Sequence, residues 1–232
     1  MSATKVIHQS LQIPAAGVVL EADIGLPECP RAAVLFAHGS GSGRHSPRNR
    51  YVADELNRAG LATVLADLLT AEEEQVDVRT ASLRFDIELL AARVVALTDW
   101  MAGNEPTAGL GGGLFGASTG AAAALIAAAA RPATVQAVVS RGGRPDLADE
   151  HLHQVRQPTL LIVGERDPVV IDLNRQAMNR LKGEKRLVII RDASHLFEEA
   201  GTLEQVAALA RDWFLRYLQA LDQTPTIHPP GE

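Results

Sequence analysis

The stretch LFGASTGAAAALIAAAA (114–130) decides the reading of the fold. It runs from the end of a strand into an Ala-rich helix, and at the junction stands Gly116-Ala117-Ser118-Thr119-Gly120, a G-x-S-x-G. A sharp strand-to-helix turn projects a serine hydroxyl above the edge of a sheet. Glycines two places before and two after it keep side chains out of the crowded bend. The helix that follows presents unpaired N–H groups and positive potential where negative charge develops. The small residues Ala121 to Ala124 let that helix approach the sheet closely. A plain Gly/Ser turn before an Ala-rich helix is the bland alternative, but the strand-turn-helix context favours Ser118 as a nucleophile.

Outward from this turn, apolar runs alternate with helical patterns, the signature of a mostly parallel sheet covered on both faces. The runs 32–38, 61–68, 113–116, 135–140, 159–164 and 186–190 are unbroken enough to be strands buried on both sides. Segments 6–13 and 18–26 flank Pro-Ala-Ala-Gly and read as an N-terminal antiparallel pair. Helices are expected over 47–59, 83–102, 119–130, 172–182 and 202–221. Thr70 to Ala81 is the longest polar stretch inside the chain. No linker or repeat divides it, so residues 1–222 are expected to form one α/β domain, with 223–232, rich in proline, as a loose tail.

A serine nucleophile requires a base and an acid to orient it. Asp167 lies just beyond the strand at 159–164, and His195 just beyond the strand at 186–190. Both therefore fall at the C-terminal edge of the sheet, where open α/β sheets bind ligands. The chain order Ser118, Asp167, His195 is the one this architecture uses. Asp167 could instead be only the turn residue before Pro168, and His195 a structural loop histidine. Glu165, Asp172 and Asp192 are weaker acid candidates.

The loop His38-Gly39-Ser40-Gly41-Ser42-Gly43 follows the strand at 32–38 directly. Its backbone can turn an N–H toward a substrate carbonyl. The N–H groups of Ser40 and Thr119 are the candidate oxyanion hole, each donor worth on the order of 10²–10³ in rate. Phosphate cradling is the rival use of such a loop, but no Gly-Lys-Ser/Thr follows it. Gly111 to Gly116 formally matches G-x-G-x-x-G, yet it precedes a strand, where a dinucleotide fingerprint must follow one. His151 and His153 lack the matching ligands of a metal site.

Taken in order, HGSGSG (38–43), GASTG (116–120), GERDPVV (164–170) and ASHLF (193–197) resemble the α/β-hydrolases. Within that superfamily the chain resembles the compact dienelactone-hydrolase-type proteins. The likeness runs over roughly residues 17–221. It implies a mostly parallel sheet of about eight strands and hydrolysis of esters or lactones without a cofactor. Dienelactone hydrolases proper use a cysteine nucleophile and carry a glutamate beside the oxyanion loop. Here Ser118 and Gly39 stand instead, and the single cysteine is Cys29, so a serine carboxylesterase or lactonase is the expectation. Asp192 stands where the histidine loop of such proteins has glycine. Only 17 residues, 142–158, separate two strands where many relatives insert a helical lid, so no large cap is expected.

Composition narrows the rest. The 232 residues are 47% hydrophobic and 22% charged, with a net charge of −6. That balance fits a globular protein and denies the basic field that nucleic-acid binding needs. There is no signal-like apolar stretch near the start and no run long enough to span a membrane, so a cytoplasmic protein with a small-molecule partner is expected. Arg44, Arg48, Arg141 and Arg144 are expected at the catalytic edge. Of these, Arg44 and Arg141 are the candidates to pair with a substrate carboxylate through the planar guanidinium fork. An acyltransferase or perhydrolase using the same three residues, and a weakly hydrolytic binding protein, are the alternatives.

Overall fold

A computed structural model describes residues 5–219. Its eight strands form one sheet: β1 (Val6–Ala15), β2 (Val18–Pro27), β3 (Ala32–Ala37), β4 (Leu61–Ala66), β5 (Gly111–Ala117), β6 (Val135–Arg141), β7 (Thr159–Gly164) and β8 (Lys185–Ile190). They lie in the order β1-β2-β4-β3-β5-β6-β7-β8. The β1–β2 hairpin and the β2–β4 pair are antiparallel, and all other neighbours are parallel. The chain leaves β3 toward β4 and leaves β5 toward β6 on the opposite side, so a crevice opens between the C-terminal ends of β3 and β5, where ligands of such sheets bind. The expected tail at 223–232 lies outside the described residues.

Among the described residues six helices cover the sheet: α1 (Pro47–Arg58), α2 (Ala71–Thr80), α3 (Ile87–Gly103), α4 (Thr119–Ala130), α5 (Pro168–Arg180) and α6 (Thr202–Tyr217). Strand alternation divides the interior into two layers. Val34, Phe36, Phe115, Val139 and Ile162 pack with α1 and α6. Leu35, Leu114 and Val138 face the layer that holds α3, α4 and the end of α5. The glycines of β5 serve this packing. A Cβ on Gly113 would lie 2.8 Å from the Phe214 ring, so their absence of side chains seats α6 against the strand.

Several boundaries differ from the sequence expectation. The polar stretch after Thr70 is helix α2, closed by a capping box: Thr70 Oγ1 accepts from Glu73 N while Glu73 accepts from Thr70 N. The signal Thr-x-x-Glu was present but masked by weak apolar periodicity. The helix expected over 83–102 begins at Ile87, capped by Asp86, after a separate 3-10 turn at Leu83–Phe85. The helix expected at 172 begins at Pro168, because proline is preset for the first helical position. The strand at 186–190 is not buried on both faces. β8 is the sheet edge and is largely exposed.

The 142–158 connection holds a 3-10 segment, Pro145–Gln154, and no cap domain. Among the described residues no helix is long and apolar enough to cross a membrane.

Candidate active site

Ser118 stands between β5 and α4 at φ 51°, ψ −123°. A non-glycine residue held at positive φ costs on the order of 1–3 kcal/mol and persists only where its surroundings over-determine it. They do so here. Ser118 N donates to Arg141 O at 3.3 Å, and Ser118 O accepts from Ala121 N at 3.1 Å and Arg144 N at 3.0 Å. The flanking glycines are required by contact: a Cβ on Gly116 would lie 2.4 Å from Ala121 Cα, and one on Gly120 2.2 Å from Ala37 O.

Two neighbouring strand ends bring in the other polar groups. Asp167 follows β7 and precedes α5, and His195 lies in the loop after β8. Asp167 Oδ2 and His195 Nδ1 are 2.7 Å apart. With an ionised carboxylate as acceptor, Nδ1 carries the proton and Nε2 keeps its lone pair. The histidine loop is shaped by Asp192 at φ 59° and Phe197 at φ 56°. Asp192 thus takes the left-handed conformation for which glycine is the usual choice, as Asp tolerates. Glu199, unnoticed in the sequence, ties the loop down by accepting from Ser194 N at 3.0 Å. That bond heads the causes holding its carboxyl below the usual range.

His195 also approaches the Ser118 turn. A Cβ on Gly142, which follows the Arg141 that accepts from Ser118 N, would lie 3.5 Å from His195 Cε1. Among the described residues no hydrogen bond joins Ser118 Oγ to His195. Such contacts commonly close only when substrate binds. The weaker acids are engaged elsewhere: Glu165 accepts from Asp192 N, and Asp172 pairs with Arg175.

The loop after β3 packs directly on the turn. A Cβ on Gly39 would stand 2.7 Å from Ser118 Cβ. Ser40 Oγ lies 3.2 Å from Thr119 Oγ1, so the two residues whose N–H groups are expected to form the oxyanion hole are in contact. Among the described residues neither Ser40 N nor Thr119 N has an intramolecular acceptor. His38, buried beneath, sets the orientation of the loop. Its Nε2 accepts from Leu68 N at 2.8 Å, so Nδ1 bears the proton and donates to Gly39 O at 3.0 Å. A carbonyl held in this way points the N–H of the same trans peptide, that of Ser40, in the opposite direction. Burial pushes the His38 pKa down, which keeps it neutral for this role.

The arginines separate into two kinds. Arg44 is committed: it pairs with Asp67, lies 3.8 Å from Asp23, and its N–H donates to Asp67 Oδ1. Arg144 pairs with Asp146. Arg141 is buried, with Nη1 lacking any partner. Of the two arginines expected to meet a substrate carboxylate, Arg44 is engaged by carboxylates from β2 and from the end of β4, whereas Arg141 is not.

Comparison with known proteins agrees with this architecture. Residues 30–210 match the family described as “Alpha/beta hydrolase domain”. The chain belongs to the α/β-hydrolase family. A solved dienelactone hydrolase from Anabaena variabilis is 57% identical, covering 92% of this chain and 99% of that one with a TM-score of 0.90. Within the family, then, the protein is dienelactone-hydrolase-like.

Est1E from Butyrivibrio proteoclasticus shares the fold at 16% identity, covering 89% of this chain and 98% of that one, TM-score 0.73. A Mycobacterium tuberculosis protein carrying the name “Putative phosphoribosyl transferase” is 55% identical over 210 residues, covering 90% of this chain. The chain spans about half the length of that relative, 46%.

Proposed function

We propose that the protein is a cofactor-independent serine carboxylesterase or lactonase that works through an acyl-enzyme. The observation that carries this reading is the 2.7 Å Asp167–His195 contact at the sheet edge that also presents Ser118 at positive φ. Ser118 Oγ attacks the ester carbonyl while His195 Nε2 accepts its proton. Asp167 holds the imidazole tautomer and stabilises the imidazolium. The N–H groups of Thr119 and Ser40 receive the oxyanion. His195 then returns the proton to the leaving alcohol, and water repeats the sequence on the acyl-enzyme.

The setting supports small, accessible substrates, because the 142–158 connection adds no cap over the edge. We infer that the transferase name of the longer relative describes the half outside the match, since Ser118, Asp167 and His195 suit acyl-transfer chemistry.

The test is Ser118→Ala assayed on p-nitrophenyl esters. Turnover should fall by about 10⁶, as expected for a lost triad nucleophile. An alkyl fluorophosphonate should add one label, at Ser118. A variant that kept more than a tenth of the native rate would remove Ser118 from this role.

A further inference from the structure

A small cavity opens between the loop after β3 and the α2 helix with the 3-10 turn that follows it. Ser40 and Thr119 stand on its walls, Leu69 and Leu90 supply apolar surface, and Glu74 and Arg84 bring charge. The room for the centre of a water-sized group is about 20 Å³. That is a little above the ~10–15 Å³ that one water needs, so the cavity takes a small group.

Arg84 is built into this wall. The buried Asp77 carboxylate accepts from Leu83 N at 2.8 Å, Arg84 N at 3.0 Å and Arg84 Nε at 2.6 Å. Arg84 Nη2 donates to Asp77 O at 3.1 Å. These bonds fix the plane of the guanidinium and leave over Nη1, which has no acceptor among the described residues. Nη1 faces the oxyanion loop, since a Cβ on Gly41 would lie 3.6 Å from it. Ser40 Oγ joins the two sides, donating to Arg84 O at 3.4 Å while lying 3.2 Å from Thr119 Oγ1.

The acidic residues of the cavity are unevenly paired. Asp67 is taken up by Arg44 and Asp77 by Arg84, whereas among the described residues no cation pairs with the exposed Glu74. The cavity therefore offers one free N–H donor and one free carboxylate. A neutral hydroxyl suits both, because it can accept from the first and donate to the second. A carboxylate is larger than a water and would meet the like charge of Glu74.

The topology says which part of an ester is directed there. The leaving alcohol must face His195, which protonates it and reaches Ser118 from the β8 side. The cavity lies on the other side, toward β3 and β4, and His195 is not on its walls. The acyl chain is the part that points into it.

We propose that this cavity is the acyl subsite, and that Arg84 and Glu74 select short acyl chains bearing a neutral hydroxyl over alkyl chains of equal length and over chains ending in a carboxylate. The substrate class is an ester of a small hydroxy acid. The assignment rests on the esterase reading for the position of the scissile carbonyl.

The experiment measures kcat/KM of the full chain for ethyl 3-hydroxypropanoate, ethyl butanoate and monoethyl succinate. The first two differ by a hydroxyl in place of a methyl. Wild type, Arg84→Met and Glu74→Gln are compared, with each ratio referred to that of alkaline hydrolysis to remove intrinsic reactivity. Wild type should favour the hydroxy ester over butanoate about tenfold, the worth of one charge-assisted hydrogen bond in a partly open site, and should disfavour the succinate. Arg84→Met should bring the hydroxy preference to within about twofold of the alkaline ratio. Glu74→Gln should raise the succinate-to-butanoate ratio several-fold.

A wild-type hydroxy preference no larger than the alkaline ratio would overturn the subsite while leaving the esterase reading intact. A succinate ester preferred to the hydroxy ester would overturn the selection of a neutral group. A preference retained in a folded Arg84→Met would place the donor elsewhere. Should Arg84→Met fail to fold, Glu74→Gln decides, and a succinate-to-butanoate ratio unchanged from wild type overturns the assignment. If wild type hydrolysed none of these esters, the esterase reading would fail and the subsite with it.

Discussion

Gly39 and Ser118 meet so closely that a Cβ on the glycine would lie 2.7 Å from the serine Cβ and 2.9 Å from Ala117 O. The contact locks the loop after β3 onto the turn after β5.

Gly39→Ala should consequently act on catalysis. The added methyl must push the loop away from Ser118 and move the Ser40 N–H with it. Turnover should fall by about 10²–10³, the worth of one oxyanion donor, while the protein still melts cooperatively. Ester hydrolysis with parallel thermal melting checks this. A rate within threefold of wild type would show that the loop is not the oxyanion hole.

Asp167→Asn should cost about 10⁴ in rate by favouring the wrong imidazole tautomer. Glu165→Gln and Asp172→Asn should stay near wild type, since their carboxylates serve Asp192 N and Arg175. The comparison of the three rates is decisive. An active Asp167→Asn beside a dead variant at either of the others would reassign the acid.

The α2 helix is anchored by Glu73, which accepts from Arg93 Nη2 at 2.6 Å while the buried Arg93 Nη1 also donates to Leu68 O. The Arg93 guanidinium holds the Glu73 carboxyl below its usual range, with burial opposing. A depressed folded-state pKa means stabilisation that is complete above the unfolded-chain value of about 4.3 and lost as pH falls through the lower folded value. Glu73→Gln should cost roughly 1–3 kcal/mol at pH 7, less than a fully buried pair because Glu73 is partly open to water. In denaturant titrations the gap from wild type should narrow as pH falls below about 4.3, the unfolded-chain value. A gap independent of pH would mean that the ion pair contributes nothing.

Cys29→Ser should leave hydrolysis unchanged, and thiol reagents should modify the wild type without inactivating it. Cys29 is exposed in the link between β2 and β3, at the N-terminal end of β3. The proposed site lies at the opposite, C-terminal ends of the parallel strands. Inactivation by a thiol reagent, abolished in Cys29→Ser, would contradict this placement.

The doubly covered sheet and the positions of Ser118, Asp167 and His195 were legible in the sequence because each depends on local signals. An apolar run followed by glycine, aspartate or histidine marks a strand end, and parallel strands bring successive ends to one edge. Helix α2 was legible in principle through Thr70 and Glu73, but its polar faces hid the period.

What remained for tertiary structure was the pairing of charges and the exposure of edges. Which groups take up Arg44 depends on Asp23 in β2 and Asp67 after β4, residues that only the sheet order brings beside it. The exposure of β8 follows from its lacking a second neighbour, which its apolar sequence cannot reveal. Local sequence dictates backbone conformation through sterics and hydrogen bonding over a few residues. The fate of a charge is decided by which distant groups share its surroundings, and that is a property of the assembled fold.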